Sequence, residues 1–179
     1  FYTEHHNKRS PRQKVRVRTY MDSGATFLEI KTKNNHGRTK KKRVEVPSQD
    51  ITGEGGNDEF LHGLVHLSVE NIHPTVRNHF HRITLVNYGK TERLTIDFDV
   101  QFENMETRCN ADVGNLVIVE LKRDGNVDSP VLDLLRALRI KPSGFSKYCI
   151  GSVMTNKSLK RNNFKMRMVK YRKIQEQKN

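Results

Sequence analysis

Segment after segment of this chain alternates charged with apolar residues at a period of two. In KVRVRTY, Lys14, Arg16 and Arg18 fall on one side and Val15 and Val17 on the other. FLEIKTK sets Glu29, Lys31 and Lys33 against Leu28 and Ile30. RLTIDFDV sets Arg93, Asp97 and Asp99 against Leu94, Ile96, Phe98 and Val100, and LVIVELK sets Glu120 and Lys122 against Val117, Val119 and Leu121. Successive side chains point to opposite faces of a strand, so each segment reads as a half-buried strand with one charged face. Those faces are dominated by arginine and lysine, with a carboxylate on several. Closed into a barrel with the charged face inward, such a sheet would enclose a cationic tunnel suited to a polyanion and a divalent metal.

The bounds agree with a basic, phosphate-seeking module. At 179 residues the chain reads as a single domain, 1–179. Its 34% hydrophobic content is modest, and no run approaches the roughly 20 apolar residues of a membrane helix, so no membrane segment is expected. The chain opens FYTEHH, without an initiator Met or signal peptide, which reads as a cut fragment. A net charge of +13 points to an anionic partner. Cys109 and Cys149 form neither a metal spacing nor a disulfide framework, and the default setting is a reducing, cytoplasmic one.

Local signals arrange the strands. A polar loop is expected over residues 1–13, then strands near 14–21 and 26–33. NNHG at 34–37 is turn chemistry leading to RTKKKRVEV, with Lys41 and Arg43 on one side. PSQDITGEGGND reads as a loop, and DEFLHGLVHLSVE as a helix over 58–70 capped by Asn57 or Asp58. HRITLVNY and RLTIDFDV flank the turn YGKTE as a second hairpin. An irregular polar stretch spans 103–115, and LVIVELK reads as the central strand. Asp128 or Ser129 caps a helix that starts at Pro130 and runs to about Ile140. A loop then enters a further helix, and residues 152–179 form a basic, helical tail.

Chemistry concentrates on the charged faces. Guanidinium is planar, permanently charged and forked, so Arg16, Arg18, Arg82 and Arg93 suit phosphate oxygens. Singly, each fits a solvent-facing charge equally well; the repetition over several strands favours phosphate. Glu120, in an apolar strand two residues from Lys122, fits either a hard ligand for Mg²⁺ or Mn²⁺ or an ion pair with Lys122 or an arginine. Glu29 and Asp97 are weaker candidates of the same kind. His62 and His66 stand four apart, but Gly63 replaces the metalloprotease glutamate, and exposed helix histidines are the better account. No catalytic triad, glycine-rich phosphate loop or nucleic-acid signature is present.

KVRVRTY, FLEIKTK, KKKRVEV, HRITLVNY, ERLTIDFDV, VIVELK and KPSGFSKYCIG, in this order, resemble the VTC domain, the catalytic domain of the vacuolar transporter chaperone family within the triphosphate tunnel metalloenzymes. The resemblance runs over 14–151. It implies an α+β fold: an antiparallel β-barrel enclosing a tunnel, with helices packed outside. It also implies a polyphosphate polymerase that moves the γ-phosphate of ATP onto growing inorganic polyphosphate with Mn²⁺ or Mg²⁺. Carried over by motif, the catalytic cations are Arg16, Arg18, Lys31, Arg82 and Arg93. Lys41, Ser146 and Lys147 are substrate-binding, with Lys122 added by its strand parity, and Glu120 is the metal ligand. Relatives carry a further helical stretch and strand ahead of the part resembling residues 1–20, so the expectation is a barrel missing a wall and a less active protein. The family often has a lysine where this chain has Gly144, with Lys141 the nearest substitute in sequence. Rival expectations are a triphosphate hydrolase, a polyphosphate binder without catalysis, and a nucleic-acid-binding basic module, although nucleic acid is not the expected partner.

Overall fold

The protein is described by a computed structural model covering residues 1–47 and 57–176. The expected loop at 47–58 and the side chains of Asn57 and Asp58 fall almost wholly outside the described residues. The fold is α+β, with antiparallel sheets and helices, and contacts divide it into two compact units, Phe1–Thr75 and Val76–Asn179.

The first unit opens with helix α1 (Tyr2–His6), where a loop was expected, because Tyr2 and His6 are both buried. Strands β1 (Arg12–Thr19), β2 (Thr26–Lys33) and β3 (Thr39–Glu45) follow as an antiparallel sheet in the order β1-β2-β3. The turn between β2 and β3 is NNHG as expected. Asn34 Oδ1 accepts from Arg38 N at 2.9 Å, and Gly37 sits at φ +78°, where a Cβ would be strained. One face carries the apolar half of the alternation. Leu28, Ile30 and Val46 pack there with Leu61, Val69 and Ile72, flanked by Val15, Val17, Phe60, Leu64 and Val65. The covering segment is not the single helix expected over 58–70. Helix α2 spans Asn57–His62 and a 3₁₀ turn spans Val69–Asn71. Between them Gln13 of β1 holds the chain, donating to Leu64 O at 2.7 Å and accepting from His66 N at 2.9 Å. His62 and His66 are therefore not one helical face, and both are exposed.

The second unit is built around β5 (Glu92–Asn104). Strand β4 (Val76–Val86) runs along one edge, and the other is shared by β6 (Asn110–Asp112) and β7 (Ile118–Arg123), all antiparallel. β6 lies in the stretch expected to be irregular. LVIVELK is thus an outer strand and not the central one: β7 pairs with β5, and Val117 and Val119 are 51% and 45% exposed. Burial is set by what packs on a strand, not by its own apolar content. A bulge sets Asp99 and Val100 of β5 against the single Phe80 of β4, with Asp99 at φ +51°.

Helix α3 (Pro130–Ala137) has the expected cap, Ser129 Oγ accepting from Leu132 N at 3.1 Å. Helix α4 (Lys147–Thr155) is capped by Ser146 and packs on β4, β5 and β6, burying Cys149, Ile150 and Val153. Helix α5 (Asn162–Glu176) carries the basic tail and buries Phe164 and Tyr171.

Gly151 fixes how closely α4 lies on the sheet. A Cβ there would stand 2.5 Å from the Phe102 ring, and Phe102 is itself buried. We expect Gly151→Ala to lower the stability of the second unit by about 1–3 kcal/mol through overpacking, measured by urea unfolding.

Candidate functional site

Register decides which side chains share a face, because residues directly opposite in an antiparallel pair point the same way. In the first unit Lys14, Lys31 and Lys41 line up across the three strands, and Arg16, Glu29 and Arg43 form the next row. Arg18 stands opposite Phe27 in the row after that. The expected cations Arg16, Arg18, Lys31 and Lys41 are therefore on one face, opposite the apolar core.

Glu29 is at the centre of that face and 1% exposed. Arg16 Nε donates to its Oε2 at 2.5 Å, and the Lys41 ammonium donates to its Oε1. Burial pushes this carboxyl up, but the Lys41 and Arg16 contacts outweigh it and hold Glu29 below the usual range. Burial, then the charge of Arg18, lowers the Arg16 guanidinium, with Glu29 acting the other way. Aromatic rings lie under the cations: Arg43 sits 4.8 Å from the Phe27 centroid and Arg18 5.7 Å from that of Tyr20.

The second unit repeats the device with different residues. Arg82 stands opposite Asp97, Thr84 opposite Thr95, Thr95 opposite Glu120, and Arg93 opposite Lys122. These side chains share one face of the sheet. Asp97, 2% exposed, takes a forked pair of hydrogen bonds from Arg82, Nε to Oδ1 at 2.5 Å and Nη2 to Oδ2 at 2.7 Å. Lys147, the first residue of α4, adds its ammonium to Asp97 Oδ2. Burial raises the Asp97 carboxyl, but these bonds bring it below its ordinary value. Lys147 is lowered, chiefly by burial, with Asp97 opposing. The Phe80 ring seats both cations, 4.2 Å from Lys147 Nζ and 5.2 Å from Arg82 Cζ.

Glu120 departs from the buried carboxylate that its apolar strand suggests. It is about half exposed, and Lys122 Nζ lies 3.4 Å from its Oε1. The ion pair with Lys122 is thus formed, and the exposed carboxylate is open to a ligand as well. Opposite it, the buried hydroxyl of Thr95 has no hydrogen-bond partner among the described residues. Two hard oxygens on a cationic face fit Mg²⁺ or Mn²⁺, which bind through one or two carboxylates together with phosphate oxygens. Glu29 and Asp97 do not fit, since both oxygens of each already accept from cations. Among the described residues no three His, Cys, Asp or Glu side chains gather into a metal cage.

Ser146 acts as the α4 cap, its Oγ accepting from Cys149 N at 3.4 Å, with its neighbour Lys147 turned to Asp97. The cation beside Gly144 is Arg167 of α5, whose guanidinium lies 3.7–3.8 Å from where a Cβ on Gly144 would stand. Tyr171 donates to Gly144 O at 3.0 Å and secures that contact. Sequence reasoning missed Arg167, because no local pattern links it to a loop more than twenty residues earlier. Phe80 was missed as well, lying one residue ahead of the strand read from His81; its spacing of two from Arg82 is the signal that could have found it.

The depressed carboxyls fix a pH dependence. Their folded values lie below the unfolded ones, so the stability they add is complete above the ordinary carboxylate range near ~4. It is lost as pH falls from there through the depressed folded values. We expect the thermal midpoint to fall on acidification through this window, with a shallower fall in Asp97→Asn and Glu29→Gln, measured by melts between about pH 3 and 7.

Comparison with known proteins bears on this face directly. No curated protein and no solved structure matches the chain. No described helix is long and apolar enough to cross a membrane. The VTC domain model matches residues 1–156, most of the chain, and that family is tied to polyphosphate. With this match over the strands that carry both cationic faces and over the loop and helix that carry Ser146 and Lys147, the chain belongs to the VTC domain family.

Proposed function

We propose that the domain makes inorganic polyphosphate, transferring the γ-phosphate of ATP to the end of a growing chain held by its cationic faces as the lining of a tunnel. The observation that carries this is the sharing of one sheet face by Arg82, Arg93, Glu120 and Lys122, reached from α4 by Lys147, in a member of the VTC family. Closure of the strands into a barrel is part of the proposal.

In the transfer, a terminal oxygen of the chain attacks the γ-phosphorus, the bond to the bridging oxygen breaks, and ADP leaves. The nucleophile comes from the substrate, so the protein's task is positioning and charge neutralisation. Arg16, Arg18, Arg82 and Arg93 grip non-bridging oxygens with paired N–H donors, and Lys31, Lys41, Lys122 and Lys147 add point charges along the chain. Glu120, with the Thr95 hydroxyl opposite it, would hold a divalent cation, which would supply neutralisation of phosphate charge.

Two measurements test this. Titration calorimetry with inorganic triphosphate should show binding that weakens by roughly tenfold or more between low and physiological salt, as counterion release requires. Duplex DNA bound more tightly than polyphosphate at equal salt would favour the basic tail as a nucleic-acid surface. Separately, Glu120→Gln should cut metal-dependent ATP turnover by about a hundredfold or more. Circular dichroism should stay unchanged, since the side chain is about half exposed. Turnover near wild type would leave Glu120 only as the partner of Lys122.

A further inference from the structure

We propose that Asp97 and Glu29 are positioning residues, each holding an arginine and a lysine in the geometry that receives phosphate; this rests on the phosphate-binding function above. The two sites have the same construction. A carboxylate with almost no exposed surface sits in the middle of a cationic face. One cation comes from the neighbouring strand directly opposite: Arg82 for Asp97, Arg16 for Glu29. The other comes from a separate element, α4 for Lys147 and β3 for Lys41. Both oxygens are used in each case, which leaves no open position for a metal and assigns these carboxylates to the cations themselves.

Without the carboxylate, the two cations of each set would repel, and each long side chain would spread into solvent. With it, the Arg82 guanidinium plane is fixed by a two-point contact with Asp97, the Arg16 guanidinium is held at Glu29 Oε2, and in the second unit the ammonium is also seated 4.2 Å over the Phe80 ring. Pre-organised donors lose less freedom when a ligand arrives, which raises affinity for a ligand of matching shape.

Charge and positioning make opposite predictions. Asp97→Asn removes a negative charge from a cationic face, so simple attraction makes a polyanion bind more tightly. Positioning makes it bind more weakly, because Arg82 and Lys147 lose their common anchor. The experiment is calorimetry with inorganic triphosphate, chelator present and no metal, on the whole chain. Expected is a Kd weaker by about tenfold in Asp97→Asn and in Glu29→Gln, since small misplacements of binding groups are costly. Asp97→Glu, which restores the charge one methylene further out, should recover part of the loss. Phe80→Leu leaves every charge in place and keeps apolar bulk. It should weaken binding by about threefold through loss of the ring contact with Lys147, and it serves where Asp97→Asn fails to fold.

Wild-type affinity or better in a folded Asp97→Asn, or in Phe80→Leu where only that variant folds, overturns the positioning role and leaves the phosphate-binding function standing. Failure of the wild-type chain to bind triphosphate overturns both.

Discussion

Like charges set directly opposite one another on a sheet repel, and this protein stacks them in rows. Lys14, Lys31 and Lys41 stand abreast across three strands, with Arg16 and Arg43 in the next row. Each such juxtaposition costs a few tenths of a kcal/mol up to about 1. The fold tolerates it because a carboxylate sits where the repulsion would be worst. Glu29 lies between Arg16 and Lys41, and Asp97 lies between Arg82 and Lys147. A buried carboxylate alone would be costly, and the paired cations alone would spread. Together they settle into a fixed arrangement on which both the sheet and its ligand face depend.

The remaining stability comes from apolar packing, and the two units place it differently. In the first, the apolar face meets α2 and the 3₁₀ turn and forms a closed cluster around Leu28, Ile30 and Leu61. In the second, packing gathers at the bulged end, where Gly151 lets α4 lie against Phe102 beside Val100 and Ile150. Ile83, Leu85 and Val119, on the face away from Arg82, remain about half exposed. The bulge at Phe80 makes this division possible. It changes the parity of β5, so Thr95 and Asp97 are buried before it and Val100 and Phe102 after it. Arg82 and Asn78 share parity on β4 and stand opposite Asp97 and Phe102, so one face of the sheet carries the charged site before the bulge and the α4 contact after it.

Period-two alternation was enough to place β1, β2, β5 and β7 and to say which of their residues share a face, except past the bulge in β5, where Val100 comes onto the side of Asp97 instead of joining Leu94 and Ile96. Register within each sheet sets Arg16, Arg18, Lys31 and Lys41 on one face and Arg82, Arg93, Glu120 and Lys122 on one face, in line with their strand parity. Burial was not legible in the same way. Glu120 looked buried because its strand is apolar, while Asp97 and Glu29 looked like secondary carboxylates. Their ranking reversed because burial depends on partners remote in sequence: Lys147 is fifty residues from Asp97, and Arg167 lies well beyond Gly144. The helix expected over 58–70 failed for a related reason. Its apolar spacing was real, but Gln13 captures the backbone at Leu64 and His66 and breaks the helix in two.

A net charge of +13 would draw any polyanion toward this protein, and charge alone gives little selectivity among them. The contrast between α5 and the sheet faces shows where selectivity can arise. On α5, Lys165, Lys170, Arg172 and Lys173 are exposed on long stems, a surface suited to diffuse attraction and steering. On the strands, arginines sit in hydrogen-bonded register, Arg82 forked onto Asp97, Arg16 bonded to Glu29, and several placed over aromatic rings. A flexible linear phosphate chain can adapt its oxygens to such fixed donors, whereas a stiff duplex presents its phosphates at spacings of its own. On the proposed positioning role, the carboxylates that reduce the positive charge of each face are the same groups that would make it selective. Attraction is given up locally, and a defined arrangement of donors is gained in return.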